Sequence, residues 1–174
     1  MTAEPPLYER DPAAYRARLA EGNAIQPRKR VSADVLLRDR AGRILLVDPN
    51  YKPGWDLPGG MAEANEPPLE AARREAREEL GLDLPAAAML CVDWVPPHDP
   101  WDDLIAFIFD GGVLSSEQIG ALQLLDGELR AFEFCSTEQA QARLRPRVWR
   151  RVEAALAALR TGNVQYLQDG YPSA

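Results

Sequence analysis

Residues 60–82 read GMAEANEPPLEAARREAREELGL and contain the clearest helix of the chain, predicted over Pro67 to Leu80. A helix turns by about 100° per residue, so residues three and four positions apart share a face. Four apolar residues fall within one stripe about 80° wide, which we expect the helix to bury. They are Leu69, Ala72, Ala76 and Leu80.

Three glutamates, Glu75, Glu78 and Glu79, lie together on one flank of this stripe. Carboxylates at this spacing repel one another and weaken an isolated helix. One explanation is a solvated, salt-bridged surface, since Glu70 and Glu78 are both within reach of Arg74 on the outer face. The other is a hard dication such as Mg²⁺, which takes oxygen ligands.

The loop before this helix ends in Pro58-Gly59-Gly60. Paired glycines let the backbone approach a ligand closely and present amides or carbonyls to metal and phosphate. Pro-Gly-Gly is also a common turn. Its combination with glutamates at fixed offsets favours a site for a metal-bound phosphate.

The composition indicates one globular domain: 174 residues, 46% of them hydrophobic and 27% charged. The net charge of −7 argues against extended nucleic-acid binding, which relies on many Lys and Arg side chains. Because an acidic protein repels phosphate, we expect a phosphate ligand to need a bridging cation. Charges throughout the first thirty residues argue against a signal peptide, and no stretch approaches the about 20 apolar residues that span a membrane. We therefore expect a cytoplasmic protein.

Three regions are predicted: an N-terminal extension (1–30), a main domain (31–160) and a short C-terminal tail (161–174). In the extension, Asp11 and Pro12 indicate the start of a short helix. Cys91 and Cys135 lie among apolar residues, which predicts buried thiols rather than a disulfide or a zinc site. The main domain is predicted to hold strands and helices without regular alternation, which favours a mixed sheet covered by helices. The predicted strands are 31–37, 43–47, 87–95, 104–109 and 129–134, the first two forming a hairpin, and the further helices are 137–144 and 147–159.

Residues 60–82 resemble the Nudix box, which is G, five residues, E, seven residues, R-E, an apolar residue, any residue, E-E, any residue, G and an apolar residue. Every specified position agrees, and the upstream segment Trp55 to Gly60 also looks like the usual lead-in. Agreement at nine constrained positions in 23 residues is not expected by chance. The matching residues are Gly60, Glu66, Arg74, Glu75, Ala76, Glu78, Glu79, Gly81 and Leu82.

The resemblance implies an α/β fold, a Nudix-type α/β/α sandwich with a mixed β-sheet. It also implies a Mg²⁺ cofactor, for which Mn²⁺ can substitute. Glu75 and Glu79 would be the principal metal ligands, Glu78 a third, and the Gly60 carbonyl a further one. Arg74 would orient the glutamates. A homodimer is expected from the family alone.

The implied reaction is hydrolysis of a phosphoanhydride in a nucleoside diphosphate linked to another moiety. Bound Mg²⁺ neutralises the leaving oxygens and acidifies water, while a glutamate takes the proton. Glu79 is the first candidate for this general base, Glu128 the second, and Asp102 and Asp103 the third. For Asp102 and Asp103 the alternative is that they are simply solvated loop residues. Glu66 would support the geometry of the loop and helix. The predicted catalytic set is Glu79, Glu78, Arg74 and Glu128.

Substrate contacts are predicted on both sides of the box. Tyr51 and Trp101 offer flat rings for stacking on a base, and Gly59 and Gly60 would contact the diphosphate. Residues 28–30, Arg-Lys-Arg, form either a solvated basic cluster or a contact to a terminal phosphate.

For Trp94, Trp55 and His98 we weigh structural roles against a role in binding or catalysis. Core packing is at least as good an explanation for Trp94 as stacking, and Trp55 is expected to support the Gly-Gly loop. His98, the only histidine, is interpreted as a loop residue at the solvent or substrate edge rather than a catalyst.

The resemblance leaves the substrate open. Pro97 lies fifteen residues beyond Leu82, similar to a proline of ADP-ribose-type enzymes, although neighbouring prolines weaken this match. Nucleoside triphosphates, oxidised ones included, and ADP-ribose or nucleotide sugars are the main alternatives. A non-catalytic Nudix domain that binds a nucleotide metabolite and regulates another process is the competing class, and the intact glutamates argue against it.

Overall fold

A computed structural model describes residues 4–84, 87–125 and 127–173. Asp126, which precedes the candidate base Glu128, and the outermost residues of the predicted extension and tail lie outside these ranges. The helices are α1 (Leu7–Arg10), α2 (Pro12–Ile25), α3 (Pro68–Leu80), α4 (Ser116–Ala121), α5 (Thr137–Arg143) and α6 (Pro146–Thr161). The strands are β1 (Arg30–Arg38), β2 (Ile44–Pro49), β3 (Gly59–Met61), β4 (Met89–Val95), β5 (Leu104–Val113), β6 (Leu129–Cys135), β7 (Gln165–Gln168) and β8 (Tyr171–Pro172).

The described strands form one mixed sheet in the order β6–β2–β1–β5–β4–β7–β8, with β3 paired to β1. β1 is parallel to β5 and β4 is parallel to β7, while the other neighbours are antiparallel. The predicted hairpin is confirmed, because Arg38 at the end of β1 pairs with Ile44 at the start of β2. Asp39 closes the turn by accepting hydrogen bonds from the Gly42 and Ala41 amides.

Alternate residues of β1 pack on opposite faces of the sheet, as the pleat of a strand requires. Ala33, Val35 and Leu37 join a core beneath α3. Leu36 joins a second core with residues of α5 and α6, including Trp149. Helices therefore cover both faces, and the predicted α/β/α sandwich with a mixed sheet is confirmed.

The central helix α3 follows the predicted stripe. Ala72, Ala76 and Leu80 are fully buried, and Leu69 is partly buried against the same core. Full burial of a side chain such as Leu80 contributes roughly 2 kcal/mol. Gly81 ends the helix in the left-handed conformation (φ 67°), where a residue without a Cβ is favoured.

The N-terminal helices lie outside both cores. The Asp11 carboxylate accepts hydrogen bonds from the amides of Ala13 and Ala14, so the predicted cap of α2 is confirmed, although α2 extends to Ile25. Neither α1 nor α2 buries a residue. No helix within the described ranges is long and apolar enough to cross a membrane.

The C-terminal segment contains strands that the sequence analysis did not predict. β7 adds to the sheet beside β4, and β8 folds back onto β7. The buried Asp93 carboxylate fixes the turn between them by accepting a hydrogen bond from the Gly170 amide (2.9 Å) and another from Arg151 Nε (2.6 Å). Residues 165–168 thus continue the sheet of the main domain, while the three-part division of the chain stays a prediction.

Candidate functional site

The Gly-Gly loop (Pro58-Gly59-Gly60) is held by strand pairing rather than being free. Its last two residues begin β3, where Gly59 pairs with Asp34 and Gly60 with Ala33 of β1. Gly59 has φ 140°, and a Cβ there would collide with the Ala33 carbonyl and lie 2.6 Å from the Asp34 Cα. Glycine is therefore required at position 59.

Glu79 links α3 to this loop. Its side chain is buried, with 5% of the residue exposed, and its Oε2 accepts a hydrogen bond from the Gly59 amide at 2.9 Å. Burial of a carboxylate is costly unless hydrogen bonds compensate for lost water. The bond therefore fixes Glu79 directly beneath the loop that the sequence analysis assigned to phosphate.

Glu75 lies against the second glycine. A Cβ at Gly60 would be 2.5 Å from the Glu75 Oε1, so the carboxylate occupies the space that a side chain at position 60 would fill. Burial raises the pKa of Glu75, Arg74 opposes the rise, and the charges of Glu78 and Glu128 add to it. The half-buried carboxylate is thus in an environment that favours a bound cation.

Arg74 connects the other carboxylates. Its Nη1 donates to Glu75 Oε1 and to Glu78 Oε2, both at 2.9 Å. Its Nε donates to Glu66 Oε1 at 3.0 Å, and its Nη2 donates to the Met61 carbonyl at 3.1 Å. These bonds join the start of the box to the middle of α3, and the Arg74 hydrogen bonds lower the pKa of Glu66. The orienting role of Arg74 agrees with these contacts and stays a prediction.

The donor chemistry fits a hard dication, since three carboxylates and a glycine carbonyl supply oxygen ligands. Within the described part of the chain, however, no three His, Cys, Asp or Glu side chains form a preassembled metal-binding group. In this structure Arg74 donates hydrogen bonds to Glu75 and Glu78, and the Gly59 amide donates one to Glu79. The Glu78 side chain is 52% exposed in this ion pair with Arg74.

A cavity of about 690 Å³ opens beside the Gly-Gly loop, between the sheet and the first turns of α6. All four predicted substrate contacts line it: Tyr51, Gly59, Gly60 and Trp101. Both aromatic residues are more than half exposed, and each has a cation over its ring: Lys52 Nζ lies 5.4 Å from the ring centre of Tyr51, and Arg30 Cζ lies 4.5 Å from that of Trp101. His98 also lines the cavity, consistent with its interpretation as a substrate-edge residue.

Glu128 lies near the glutamate cluster. It stands in the connection before β6, where its carbonyl accepts a hydrogen bond from the Asn50 amide at 2.8 Å. Its charge contributes to the raised pKa of both Glu75 and Tyr51. The second candidate base is therefore close to the predicted metal ligands.

Asp103 and two of the tryptophans have structural contacts. The Asp103 carboxylate accepts a hydrogen bond from Trp94 Nε1 at 2.9 Å and pairs with Lys29. Trp55 packs against the core beneath α6, with the Arg143 guanidinium 4.7 Å from its ring. These contacts favour structural roles for all three residues.

Several polar residues of the cavity were missed by the sequence analysis. Burial, and then the neighbouring charge of Asp56, raises the pKa of Asp34 to about 7. Lys52 and Arg145 both pair with Asp56, at 2.9 and 2.8 Å. Asp34 is an acid within an apolar strand, which was a usable signal. Arg145 comes to the site only through the packing of α6, and no local pattern predicts that.

A family model, NUDIX domain, matches residues 28–156. One curated relative is an RNA pyrophosphohydrolase of Halorhodospira halophila, 42% identical over 53 residues, which are 30% of this chain and 29% of that protein. Another is a putative 8-oxo-dGTP diphosphatase of Bacillus subtilis, 35% identical over 80 residues, 46% of this chain and 54% of that protein. The matches therefore span less than two thirds of either relative.

Solved structures share the fold. The crystal structure of a MutT NUDIX hydrolase from Burkholderia pseudomallei superposes with a TM-score of 0.59 at 25% identity. The match covers 75% of this chain and 98% of that one.

Proposed function

Because the chain belongs to the Nudix family, we propose that it hydrolyses a phosphoanhydride in a nucleoside diphosphate linked to another moiety, with Mg²⁺ as cofactor. One observation carries this proposal. The buried Glu79 carboxylate is held on the Gly59 amide, and the Glu75 carboxylate packs on Gly60, at the edge of a cavity large enough for a nucleotide.

In this proposal Glu75, Glu78, Glu79 and the Gly60 carbonyl hold the metal. When bound, the ion would supply positive charge for the diphosphate and lower the pKa of the attacking water. Glu79, whose carboxylate is held at the Gly-Gly loop by the Gly59 amide, would take a proton from the attacking water, and Glu128 would be the alternative base. Arg74 positions Glu75 and Glu78 by its hydrogen bonds.

The nucleotide is bound in the cavity beside these groups. The rings of Tyr51 and Trp101 stack on a base or sugar, and the Gly-Gly loop contacts the diphosphate. Names of the relatives support phosphoanhydride chemistry, since one is an RNA pyrophosphohydrolase and the other a putative 8-oxo-dGTP diphosphatase. Cytoplasmic location, a homodimer and use of Mn²⁺ stay predictions.

The test is a product assay over nucleoside triphosphates, dinucleoside polyphosphates, ADP-ribose and nucleotide sugars, each with Mg²⁺ or EDTA. We expect at least one compound to yield a nucleotide product with Mg²⁺ and none to do so with EDTA. Turnover in EDTA at the same rate would refute the metal requirement. No turnover of any compound would favour the regulatory, non-catalytic alternative.

Metal binding is measured separately with Mn²⁺ as an electron-paramagnetic probe. Glu78→Gln is expected to weaken Mn²⁺ binding, whereas Glu70→Gln, on the same helix but paired with Arg73 (2.7 Å), is expected to leave it unchanged. Equal Mn²⁺ affinity in wild type and Glu78→Gln would remove Glu78 from the ligand set.

A further inference from the structure

The wall of the cavity contributed largely by α6 is strongly cationic, although the whole chain carries a net charge of −7. A local excess of positive charge in a cavity attracts anions, because the surrounding protein screens charges less than water does. The basic residues that line the cavity are Arg30, Lys52, Arg145, Arg147, Arg150 and Arg151.

Four of these six cations have carboxylate partners. Arg151 pairs with the buried Asp93, and Arg147 pairs with Asp169, both at 2.6 Å. Lys52 and Arg145 share the single carboxylate of Asp56.

Two cations, Arg30 and Arg150, form no ion pair with any described carboxylate. Asp34 is the remaining acid of the lining. Even with Asp34 ionised, six cations face only four carboxylates, Asp34, Asp56, Asp93 and Asp169. The lining cations, taken with Asp34 and their ion-pair partners, therefore keep an excess of two positive charges when Asp34 is ionised and of three when it is protonated.

Arg150 is fixed in place without neutralisation. Its Nη2 donates to the Asp169 carbonyl at 3.1 Å, and its guanidinium lies 4.2 Å from the centre of the Tyr171 ring. A Cβ at Gly170 would lie 2.8 Å from the Arg150 Nε, so the glycine makes room for this arginine.

Arg30, which also lines the cavity, is held in a similar way. Its guanidinium lies 4.5 Å from the centre of the Trp101 ring, and its Nη1 donates to the Asp102 carbonyl at 3.4 Å. An arginine that is positioned by a ring and a carbonyl is not neutralised, and most of its N–H donors can still bind an anion. A guanidinium can donate to two phosphate oxygens at once.

We propose that Arg30 and Arg150 bind a phosphate group beyond the two that flank the cleaved bond. The substrate is then a polyphosphate, such as a nucleoside triphosphate, a 5′-polyphosphorylated oligonucleotide or a dinucleoside polyphosphate. A nucleotide sugar, whose second moiety carries no further phosphate, leaves this wall without a partner. The inference rests on the proposed function for the position of the cleaved diphosphate.

Binding is tested apart from catalysis, with inorganic tripolyphosphate as the probe, in EDTA, by isothermal titration calorimetry. Wild type is expected to bind the probe, and Arg30→Gln and Arg150→Gln each to bind it about tenfold more weakly, the usual effect of losing a charge-assisted hydrogen bond. The control is Arg160→Gln, an exposed arginine at the far end of α6, which is expected to bind as wild type does. No binding by wild type, or equal binding by all four proteins, would overturn the proposal.

Specificity is tested with pairs of substrates that differ in one phosphate, such as an adenosine tetraphosphate and the triphosphate, against ADP-ribose. Arg150→Gln, whose guanidinium lies against Tyr171 rather than against the stacking ring of Trp101, is expected to raise KM for the polyphosphates about tenfold while leaving kcat and the KM for ADP-ribose nearly unchanged. An equal effect on ADP-ribose would contradict the assignment. If no compound is turned over, the proposed function fails, while the tripolyphosphate titration still decides whether the wall binds phosphate.

Discussion

Substitution of Gly60 by Ala is expected to damage the site without damaging the fold. The backbone at Gly60 does not lie in the left-handed region, so alanine fits its conformation. The added Cβ would lie 2.5 Å from Glu75 Oε1 and 2.6 Å from Glu75 Cδ, and its three nearest atoms all belong to this side chain.

The size of the effect follows from these distances. Ordinary contacts begin at 3.4 Å, so the Glu75 carboxylate must retreat by about 0.9 Å, the difference from 2.5 Å. A misplacement of about 1 Å in a catalytic group can reduce a rate about 100-fold. We therefore predict that kcat/KM falls about 100-fold and that more Mg²⁺ is needed for half-maximal activity.

The assay compares the Mg²⁺ dependence of hydrolysis and thermal unfolding in EDTA for wild type, Gly60→Ala and a matched control. Gly22→Ala is that control, because position 22 lies in the exposed helix α2 with no atom within 4 Å of the new Cβ. Gly60→Ala is expected to unfold within a few degrees of wild type. Wild-type kcat/KM and Mg²⁺ dependence in Gly60→Ala would refute the placement of Glu75 at the metal.

Three further predictions concern stability, measured by urea unfolding. Arg74→Gln should lower the free energy of unfolding in EDTA by about 2 kcal/mol, because hydrogen bonds to charged groups are lost. Mg²⁺ should restore part of this free energy. An equal loss with and without Mg²⁺ would contradict the prediction. Asp93→Asn should cost about 3 kcal/mol, because the buried Arg151 loses its counter-charge; a neutral result would show that the pair does not stabilise the fold. The pKa of Asp34 is raised from 3.8 to about 7, so the folded state holds its proton more tightly and stability falls as pH rises from about 4 to 7. In EDTA, the stability of Asp34→Asn should not show this decline between pH 4 and 7. A pH profile of stability equal to that of wild type would disprove the raised pKa of Asp34.

The helix and the glutamates were predictable because their information is local. The apolar stripe of α3 is periodic, and Glu75 and Glu79 have fixed offsets from the Gly-Gly loop. The hairpin of β1 and β2 was predictable for the same reason, since a turn separates two apolar runs.

The cationic wall and the edge strands were not predictable in this way. β7 is a four-residue strand that gains its partners from β4, and Arg150 reaches the cavity because α6 packs across the sheet. Such contacts join residues far apart in sequence, and intrinsic strand preference is weak beside tertiary pairing. Arg30 was noted as a basic residue that could meet a terminal phosphate, but its position beside Trp101 required the fold.

The most direct test of the central claim is the rate of Mg²⁺-dependent hydrolysis by Glu79→Gln, beside Glu70→Gln as a control on the outer face of α3. Glutamine keeps the shape of the side chain and an oxygen that can accept the Gly59 hydrogen bond, but it loses the charge and the ability to take a proton. The account predicts that Glu79→Gln folds and loses at least about 1,000-fold in kcat, within the range of lost acid–base catalysis, while Glu70→Gln retains its activity. Undiminished turnover by a folded Glu79→Gln would contradict the account.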